Sequence, residues 1–225
     1  MNITARCRVI INGARGKMGA LAVQTLQQQP DFEVVAELSR NDNLEREINR
    51  LSPDLVVDFT NAEAIHATMQ TIIKSNKPAV IGTTGLSAEE TAQYKKHCDE
   101  KKQGIILAPN FSLGVLLMMK YAADAAKYFN EVEIIEMHHP NKVDAPSGSA
   151  RKTARMIAEA NQTFTEKQSP MANNASRGGV YDNTNIPIHA IRLSGKIAHQ
   201  QVIFGGLGET LTLQQDTLSR ECFMP

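Results

Sequence analysis

The first 110 residues alternate between short apolar runs and segments with helical spacing, and this alternation restricts the possible folds most strongly. The apolar runs are rich in β-branched residues, which is typical of strands buried on both faces of a parallel sheet. They span residues 8–12, 33–38, 54–59, 78–81 and 104–107. Between them, apolar residues recur at helical spacing, for example at Met18, Leu21, Ala22, Thr25 and Leu26. The pattern predicts βαβ units and a doubly wound α/β domain over residues 1–110.

Two of the helix starts in this domain are predicted from capping boxes, in which a Ser or Thr is followed by Glu three residues later. Thr60 with Glu63 predicts the start of the third helix. Ser87 with Glu90 predicts the start of the fourth.

The pattern changes after residue 110. Helices are predicted over 112–128 and 150–158, with a strand over 131–137 between them. Three strand-like runs then follow each other directly, at 188–193, 200–204 and 209–215, and the polar stretch 161–185 before them is predicted to be a long loop. Successive strands favour antiparallel pairing. Residues 111–217 are therefore predicted to form a separate α+β domain with a mixed, largely antiparallel sheet.

Composition excludes several classes of protein. The chain has 24 basic and 24 acidic residues, so no overall charge attracts nucleic acid or an anionic membrane. Its three cysteines are far apart, which argues against a disulfide framework or a zinc site and suits a reducing cytoplasm. The only early apolar run, 9–11, is too short for a signal peptide, and no run is long enough to cross a membrane.

A glycine-rich turn, Gly13 to Gly19, follows the first predicted strand and opens the first helix. Residues without side chains let the backbone approach a pyrophosphate, and the helix N-terminus offers it N–H groups and partial positive charge. The spacing is GxxGxxG rather than GxGxxG, with Arg15 in the middle, so a tight turn without a ligand is the alternative interpretation.

The end of the second strand indicates which nicotinamide nucleotide binds, because an acid there suits a ribose hydroxyl and an arginine suits a 2′-phosphate. This strand ends in Ser39 and Arg40, with Glu37 two residues earlier. The residues favour NADPH and leave NADH possible; an ordinary solvated arginine is the alternative. Two further loops follow predicted strands, at 82–85 and 108–111, where ligands bind in open α/β sheets.

The densest group of reactive residues lies between residues 136 and 149. His138 and His139 are adjacent at a strand end, and Lys142 follows in a short loop. Histidine suits acid–base catalysis near neutral pH, and lysine supplies positive charge or a proton. A helix starting near Ser147 would direct the N–H groups of Gly148 and Ser149 at a carboxylate. A surface loop or an adventitious metal site is the alternative, although no further Cys or His has zinc-ligand spacing.

The run Glu-x-His-His-x-x-Lys-x-Asp-Ala-Pro-Ser-Gly-Ser closely resembles the motif of the dihydrodipicolinate reductase family of bacterial lysine and diaminopimelate synthesis. Supporting motifs occur in the same order, at residues 13–19, 58–60, 82–85, 108–111 and 191–195. The resemblance implies a Rossmann-like domain, an α+β domain whose sheet joins subunits into a homotetramer, and a chain end, about 218–225, that returns to the first domain. It also implies hydride transfer from NAD(P)H to C4 of a cyclic dicarboxylate, with loss of its hydroxyl as water.

Carried over by motif, His138 resembles the acid/base, and Lys142 the second proton donor or carboxylate partner. His139, Gly148 and Ser149, together with Lys142, resemble substrate contacts. The cofactor contacts implied are Gly13, Ala14, Arg15, Gly16, Lys17, Met18, Arg40, Gly82, Thr83, Thr84, Ala108, Pro109, Asn110 and Phe111.

The chain departs from the family pattern in three places. Ser39 replaces the acid found in some members, the segment 40–54 is short, and the chain ends at Pro225, which suggests truncation. Two alternatives remain: another Rossmann-fold oxidoreductase acting on an amino or keto acid, and a nucleotide-binding sensor without chemistry. Neither has a reason to carry both His138 and Lys142.

Overall fold

The computed structural model describes residues 5–108, 110–165 and 178–224. Contacts divide the chain into two compact units, with the boundary between Phe111 and Ser112. Within the described residues, no helix is both long and apolar enough to cross a membrane.

The first unit is a five-stranded parallel sheet with the strand order β2-β1-β3-β4-β5. Its strands are β1 (Cys7–Asn12), β2 (Phe32–Leu38), β3 (Leu55–Asp58), β4 (Ala79–Ile81) and β5 (Ile105–Leu107). Its helices are α1 (Lys17–Gln27), α2 (Leu44–Leu51), α3 (Ile65–Ser75) and α4 (Ala88–Lys101). Val9, Ile10 and Ile11 are fully buried, and the core forms two clusters in which Ile10 is separate from Val9 and Ile11. The predicted parallel, doubly wound sheet is confirmed.

One of the two predicted capping boxes is correct. The Ser87 hydroxyl accepts from the Glu90 amide at 3.1 Å, and the Glu90 carboxylate accepts from the Ser87 amide at 2.7 Å. The prediction for the third helix is wrong, because α3 begins at Ile65 and its N-cap, Ala64, makes no side-chain cap bond. The hydroxyl of Thr60 instead donates to Asp58.

The second unit is a four-stranded sheet with the order β7-β6-β8-β9, in which only the β6–β7 pair is parallel. Its strands are β6 (Glu131–His138), β7 (Ile188–Arg192), β8 (Ala198–Gly206) and β9 (Glu209–Thr217), and its helices are α5 (Leu113–Ala125) and α6 (Gly148–Ala160). Buried residues of α5 and α6 share one core with β6, β7 and β8. The predicted mixed, largely antiparallel sheet is confirmed.

Much of the predicted loop 161–185 lies outside the described residues. Its described parts contain a short 3-10 helix, Gln162–Phe164, and a turn in which Arg151 of α6 forms an ion pair with Asp182. A second 3-10 helix, Arg220–Phe223, is grouped by its contacts with the second unit. The return of residues 218–225 to the first unit stays a prediction.

Candidate functional site

The turn after β1 depends on two glycines. Gly13 has a φ of +83°, and a Cβ atom there would lie 2.4 Å from the carbonyl oxygen of Phe59. A Cβ atom on Gly19 would lie 2.1 Å from the carbonyl oxygen of Gly13. The amides of Gly13 and Ala14 both donate to the Leu38 carbonyl at 2.9 Å, which fixes the turn against the end of β2. No larger residue fits these positions without movement of the backbone.

The N-terminus of α1 suits an anion. Its N-cap is Gly16, which offers no side-chain cap, and the first turn contains no acidic residue. Arg15 and Lys17 are exposed beside it. The amide groups and partial positive charge of the helix start are therefore not countered by a local carboxylate, which is the arrangement that a pyrophosphate requires. The residues present fit a dinucleotide.

A buried carboxylate joins the carboxyl ends of the neighbouring strands. Asp58 accepts from Asn12 Nδ2 at 2.8 Å, from Thr83 Oγ1 at 2.5 Å and from Thr60 Oγ1 at 3.0 Å. Asp58 is fully buried. The hydroxyl of Thr83 thus holds the loop after β4, and no role for Asp58 was predicted from the sequence.

The loop after β4 also passes close to two aromatic rings. A Cβ atom on Gly82 would lie 2.4 Å from the ring of Phe59 and 2.9 Å from that of Phe111. These rings lie 5.4 Å apart, centroid to centroid. Gly82 and Phe111, from two different predicted cofactor segments, are therefore neighbours in the first unit. Pro109, between β5 and Phe111, lies outside the described residues.

The turn after β2 contains a carboxylate, Asp42, that was not predicted from the sequence. The Ser39 amide and hydroxyl both donate to Asp42 Oδ2 at 2.8 Å. These bonds, with smaller contributions from the charges of Arg15 and Arg46, hold the pKa of Asp42 below its usual value. Arg40 is exposed in the same turn. Ser39 is therefore not an acid itself, but its amide and hydroxyl hold the carboxylate of Asp42, three residues later in the chain.

In the second unit, the histidine motif is built around Glu136, whose side chain is 0% exposed. Its carboxylate lies 2.5 Å from His138 Nδ1. It accepts from Arg192 Nη1 and Nη2 at 3.0 and 2.9 Å, and from the Ser147 amide at 3.0 Å. Register explains the convergence, because Glu136 and His138 lie on one face of β6 and His138 pairs with Arg192 of β7.

Burial would raise the pKa of Glu136, but hydrogen bonds from His138 and Arg192 outweigh burial and hold it below its usual value. Glu136 is therefore an ionised carboxylate at neutral pH. Removal of a partner would leave a buried charge uncompensated, which is strongly destabilising.

Arg192 also holds the loop that contains Lys142. It donates to the carbonyl oxygens of Asp144 at 2.6 Å and of Lys142 at 3.4 Å. The Lys142 ammonium, whose side chain is 24% exposed, lies 2.8 Å from Asp144 Oδ1. Burial acts to raise the pKa of Asp144, but the bond and charge of Lys142, a backbone hydrogen bond and the charge of Arg192 together hold it below its usual value. The Lys142 amide donates to the His139 carbonyl at 3.1 Å, which forms a turn.

The start of α6 lies in the same place. Ser147 is its N-cap and accepts from the Ala150 amide at 3.2 Å, while its own amide donates to Glu136. Gly148 and Ser149 are the first helical residues, and the first turn contains no acidic residue. The structure thus brings the loop of His138 and Lys142 and this helix start together around Glu136. His139 follows β6 and is partly exposed.

His189 and Arg192 lie on the same strand, β7, but His189 pairs with Glu133 at 2.8 Å. Alternation along β7 puts His189 and Arg192 on opposite faces of the sheet. Arg192 is therefore the residue of β7 that reaches the loop.

The fold and site define a dinucleotide-binding α/β protein with an attached α+β unit that carries a histidine–lysine loop. A family model described as "Dihydrodipicolinate reductase, N-terminus" matches residues 7–111, and one described as "Dihydrodipicolinate reductase, C-terminus" matches residues 114–225. The chain belongs to the dihydrodipicolinate reductase family, as its motifs predict.

Similar proteins carry the same name. A 4-hydroxy-tetrahydrodipicolinate reductase of Coxiella burnetii is 49% identical over 217 residues, which cover 96% of this chain and 89% of the relative. One from Legionella pneumophila is 48% identical over 225 residues, covering 98% and 90%. The structure of a dipicolinate-bound dihydrodipicolinate reductase from Paenisporosarcina sp. TG-14 has a TM-score of 0.83 at 42% identity, covering 97% of this chain and 91% of that one.

A more distant structure, GenD2 from gentamicin A biosynthesis in complex with NAD, has a TM-score of 0.64 at 13% identity. It covers 95% of this chain and 74% of that one, and it supports the fold alone. The role of each site residue stays a prediction.

Proposed function

We propose that this chain catalyses the NAD(P)H-dependent reduction of 4-hydroxy-tetrahydrodipicolinate to tetrahydrodipicolinate in lysine and diaminopimelate synthesis. The observation that carries the proposal is the assembly of His138, the Lys142 loop and the N-terminus of α6 around Glu136, in a chain of this family. A dipicolinate-bound relative with 42% identity supports a dicarboxylate as the ligand.

The reduced nicotinamide supplies the hydride that C4 of the substrate receives as its hydroxyl leaves with a proton as water. His138 holds a proton at its imidazole, and Lys142 holds one on its ammonium. The Lys142 charge and the amides of Gly148 and Ser149 bind the substrate carboxylates, with His139 as a further contact. Each charge-assisted contact contributes on the order of 1.5–3 kcal/mol.

In the first unit, the pyrophosphate of the nucleotide binds the turn formed by Gly13, Ala14, Arg15, Gly16, Lys17 and Met18. Three further segments hold the rest of the cofactor: Arg40, the Gly82–Thr83–Thr84 loop, and Ala108, Pro109, Asn110 and Phe111. Support comes from the close backbone approach at Gly13 and Gly82 and from the uncapped start of α1.

The direct test is NADPH oxidation by the purified chain with freshly generated substrate, followed by absorbance. Turnover that requires the substrate is expected. If neither NADPH nor NADH is oxidised by folded protein, the proposed activity is refuted.

NADPH is the preferred nucleotide in this proposal, and NADH is also accepted. Exposed Arg40 supplies positive charge for a 2′-phosphate, whereas Asp42 in the same turn supplies a carboxylate that suits a ribose hydroxyl. Arg40→Ala should raise KM for NADPH more than for NADH, because it removes charge that only the 2′-phosphate needs. Asp42→Asn should change the ratio of the two KM values in the opposite direction. An equal effect of Arg40→Ala on both nucleotides would contradict this role.

The protein acts as a homotetramer joined through the sheet of the second unit. Helices α5 and α6 cover one face of this sheet, and the other face includes the partly exposed apolar side chains of Ile135, Met137 and Ile203. Strand β9, nine residues long, lies at the sheet edge. Sedimentation should give the mass of four chains, and Ile203→Glu should lower it. A monomeric wild type would contradict this assembly.

The cytoplasm is the proposed site of action. Cys7, Cys98 and Cys222 are all free thiols, as a reducing compartment would keep them. Fractionation of cells should place the activity with cytoplasmic markers.

A further inference from the structure

Glu136 occupies a position where an apolar residue would ordinarily be expected. Along the inner face of β6, Val132 and Ile134 are buried in the hydrophobic core, and Glu136 follows them with no exposure. Its partner on the neighbouring strand β8 is Gln200, whose side-chain amide donates to the hydroxyl of buried Thr153 at 2.7 Å. A charge without exposure is costly unless it is paired and hydrogen-bonded. Among the described residues, the groups that donate to it come from His138, Ser147 and Arg192, which build the candidate site.

We propose that Glu136 is a positioning residue of the reaction. Its carboxylate accepts the Nδ1 hydrogen of His138, so the imidazole is held in one tautomer and one orientation, with Nε2 as the atom that exchanges a proton with the substrate. This role rests on the proposed function, because it needs His138 to be the acid.

The chemistry of the carboxylate fixes the tautomer. Arg192 donates to both oxygens of Glu136, so the carboxylate is ionised and offers only acceptors. The atom of His138 that lies 2.5 Å away must therefore carry hydrogen, and that atom is Nδ1. In the neutral imidazole, Nε2 is then the acceptor, and in the protonated imidazole both nitrogens carry hydrogen.

The same carboxylate aligns His138 with the anion-binding groups. It accepts from the Ser147 amide at the start of α6, and its partner Arg192 holds the carbonyl oxygens of Lys142 and Asp144. One side chain thus sets the positions of the proton donor, the lysine loop and the helix start relative to each other. Small errors in such positions reduce rates strongly, which gives the carboxylate a role beyond stability.

The charges around His138 make the role measurable by pH. They are Glu136 on β6, Arg192 on β7, and Lys142 and Asp144, which pair with each other in the loop. On β8, the positions opposite Glu136 and His138 are the uncharged Gln200 and Ala198. Loss of the Glu136 charge leaves Arg192 uncompensated beside the imidazole, which disfavours its protonated form.

The test compares wild type with Glu136→Gln, which keeps the shape and removes the charge. We expect kcat to fall about 10- to 100-fold, as for other groups that orient a functional histidine. The alkaline limb of the kcat–pH profile should also move to lower pH, because the protonated imidazole of His138 loses the negative charge of Glu136 beside it. Glu136→Asp should restore part of kcat and reverse part of the pH shift.

Glu133→Gln is the matched control, because Glu133 lies on the same strand and pairs with His189 at 2.8 Å on the opposite face. It should leave kcat and the pH profile of the enzyme unchanged. If Glu136→Gln folds and turns over with the wild-type kcat and pH limb, Glu136 has no positioning role.

A second measurement does not depend on the variant folding or on activity. Nitrogen-15 NMR of wild type, with His138 assigned from the loss of its signal in His138→Asn, should show hydrogen on Nδ1 at high pH. Hydrogen on Nε2 would overturn the proposal even in an enzyme that turns over. If the wild type does not turn over but shows the Nδ1 tautomer, the proposed function fails while the Glu136–His138 geometry stands.

Discussion

Lys142 makes one contact through its backbone carbonyl and another through its ammonium, and the two have different effects. Its backbone carbonyl is held by Arg192, so the loop is fixed before any ligand binds. Its ammonium is paired with Asp144, whose side chain is 59% exposed. Ion pairs open to solvent contribute little to stability, so a substrate carboxylate can replace Asp144 at small cost. The loop is therefore fixed while its charge stays available.

Lys142→Ala should lower kcat/KM about 10- to 100-fold, because it removes one charge-assisted contact worth on the order of 1.5–3 kcal/mol. Steady-state kinetics with saturating NADPH measure this effect. Lys127→Ala is the control, since Lys127, which lies just after α5, also pairs with an aspartate, Asp124, at an exposed position. Unchanged kinetics for Lys142→Ala would remove this residue from the mechanism.

At the scale of elements, the capping box at the start of α4 can be tested by a single substitution. The reciprocal bonds between Ser87 and Glu90 satisfy backbone donors that the helix cannot satisfy itself. Ser87→Ala should lower the free energy of unfolding by about 1 kcal/mol in urea titrations. Lys96→Ala, on the exposed side of the same helix, should change it by less than about 0.5 kcal/mol. Equal effects of the two would mean that the cap does not stabilise α4.

The capping boxes also show what sequence can and cannot predict. Ser87 and Glu90 are close in the chain and satisfy each other, so local pattern was sufficient. Thr60 matched the same pattern, but its hydroxyl binds Asp58, which is also held by Asn12 and Thr83 from neighbouring strands. Strand order decides that contact, and no local pattern encodes it.

The same distinction applies to the site. The motif of His138 and Lys142 could be found because the residues lie within one loop, and the alternation of strands and helices was sufficient for the fold class. Glu136 was part of that motif but received no role, because its importance depends on Arg192, 56 residues later in the chain. Asp42 was not predicted because the family pattern places an acid at position 39, whereas in this chain Ser39 at that position donates to the carboxylate of Asp42.

At the scale of the whole molecule, each of the two units has its own buried core. Within the second unit, an ion-pair cluster fixes a turn to a helix. Asp182 Oδ2 accepts from Arg151 Nε at 3.0 Å and lies 3.6 Å from Arg155 Nη1. The turn that contains Asp182 is therefore fixed to α6. The bond from Arg151 holds the pKa of Asp182 below its ordinary 3.8, with a smaller opposing effect of burial.

The lowered pKa sets the sign of a pH effect on the stability of the molecule. Because the folded state binds the Asp182 proton less tightly than the unfolded chain, the pair stabilises fully above about pH 4 and loses this contribution as pH falls through the lower folded value. Asp182→Asn, which also tolerates the positive φ of 56° at this position, should reduce the free energy of unfolding by roughly 1 kcal/mol at pH 7. The deficit should shrink below pH 4 in urea titrations, where wild type loses the same charge. Asp124→Asn, at a surface pair with Lys127, serves as the control. A deficit that is constant with pH would mean that Asp182 stabilises the second unit through packing rather than charge.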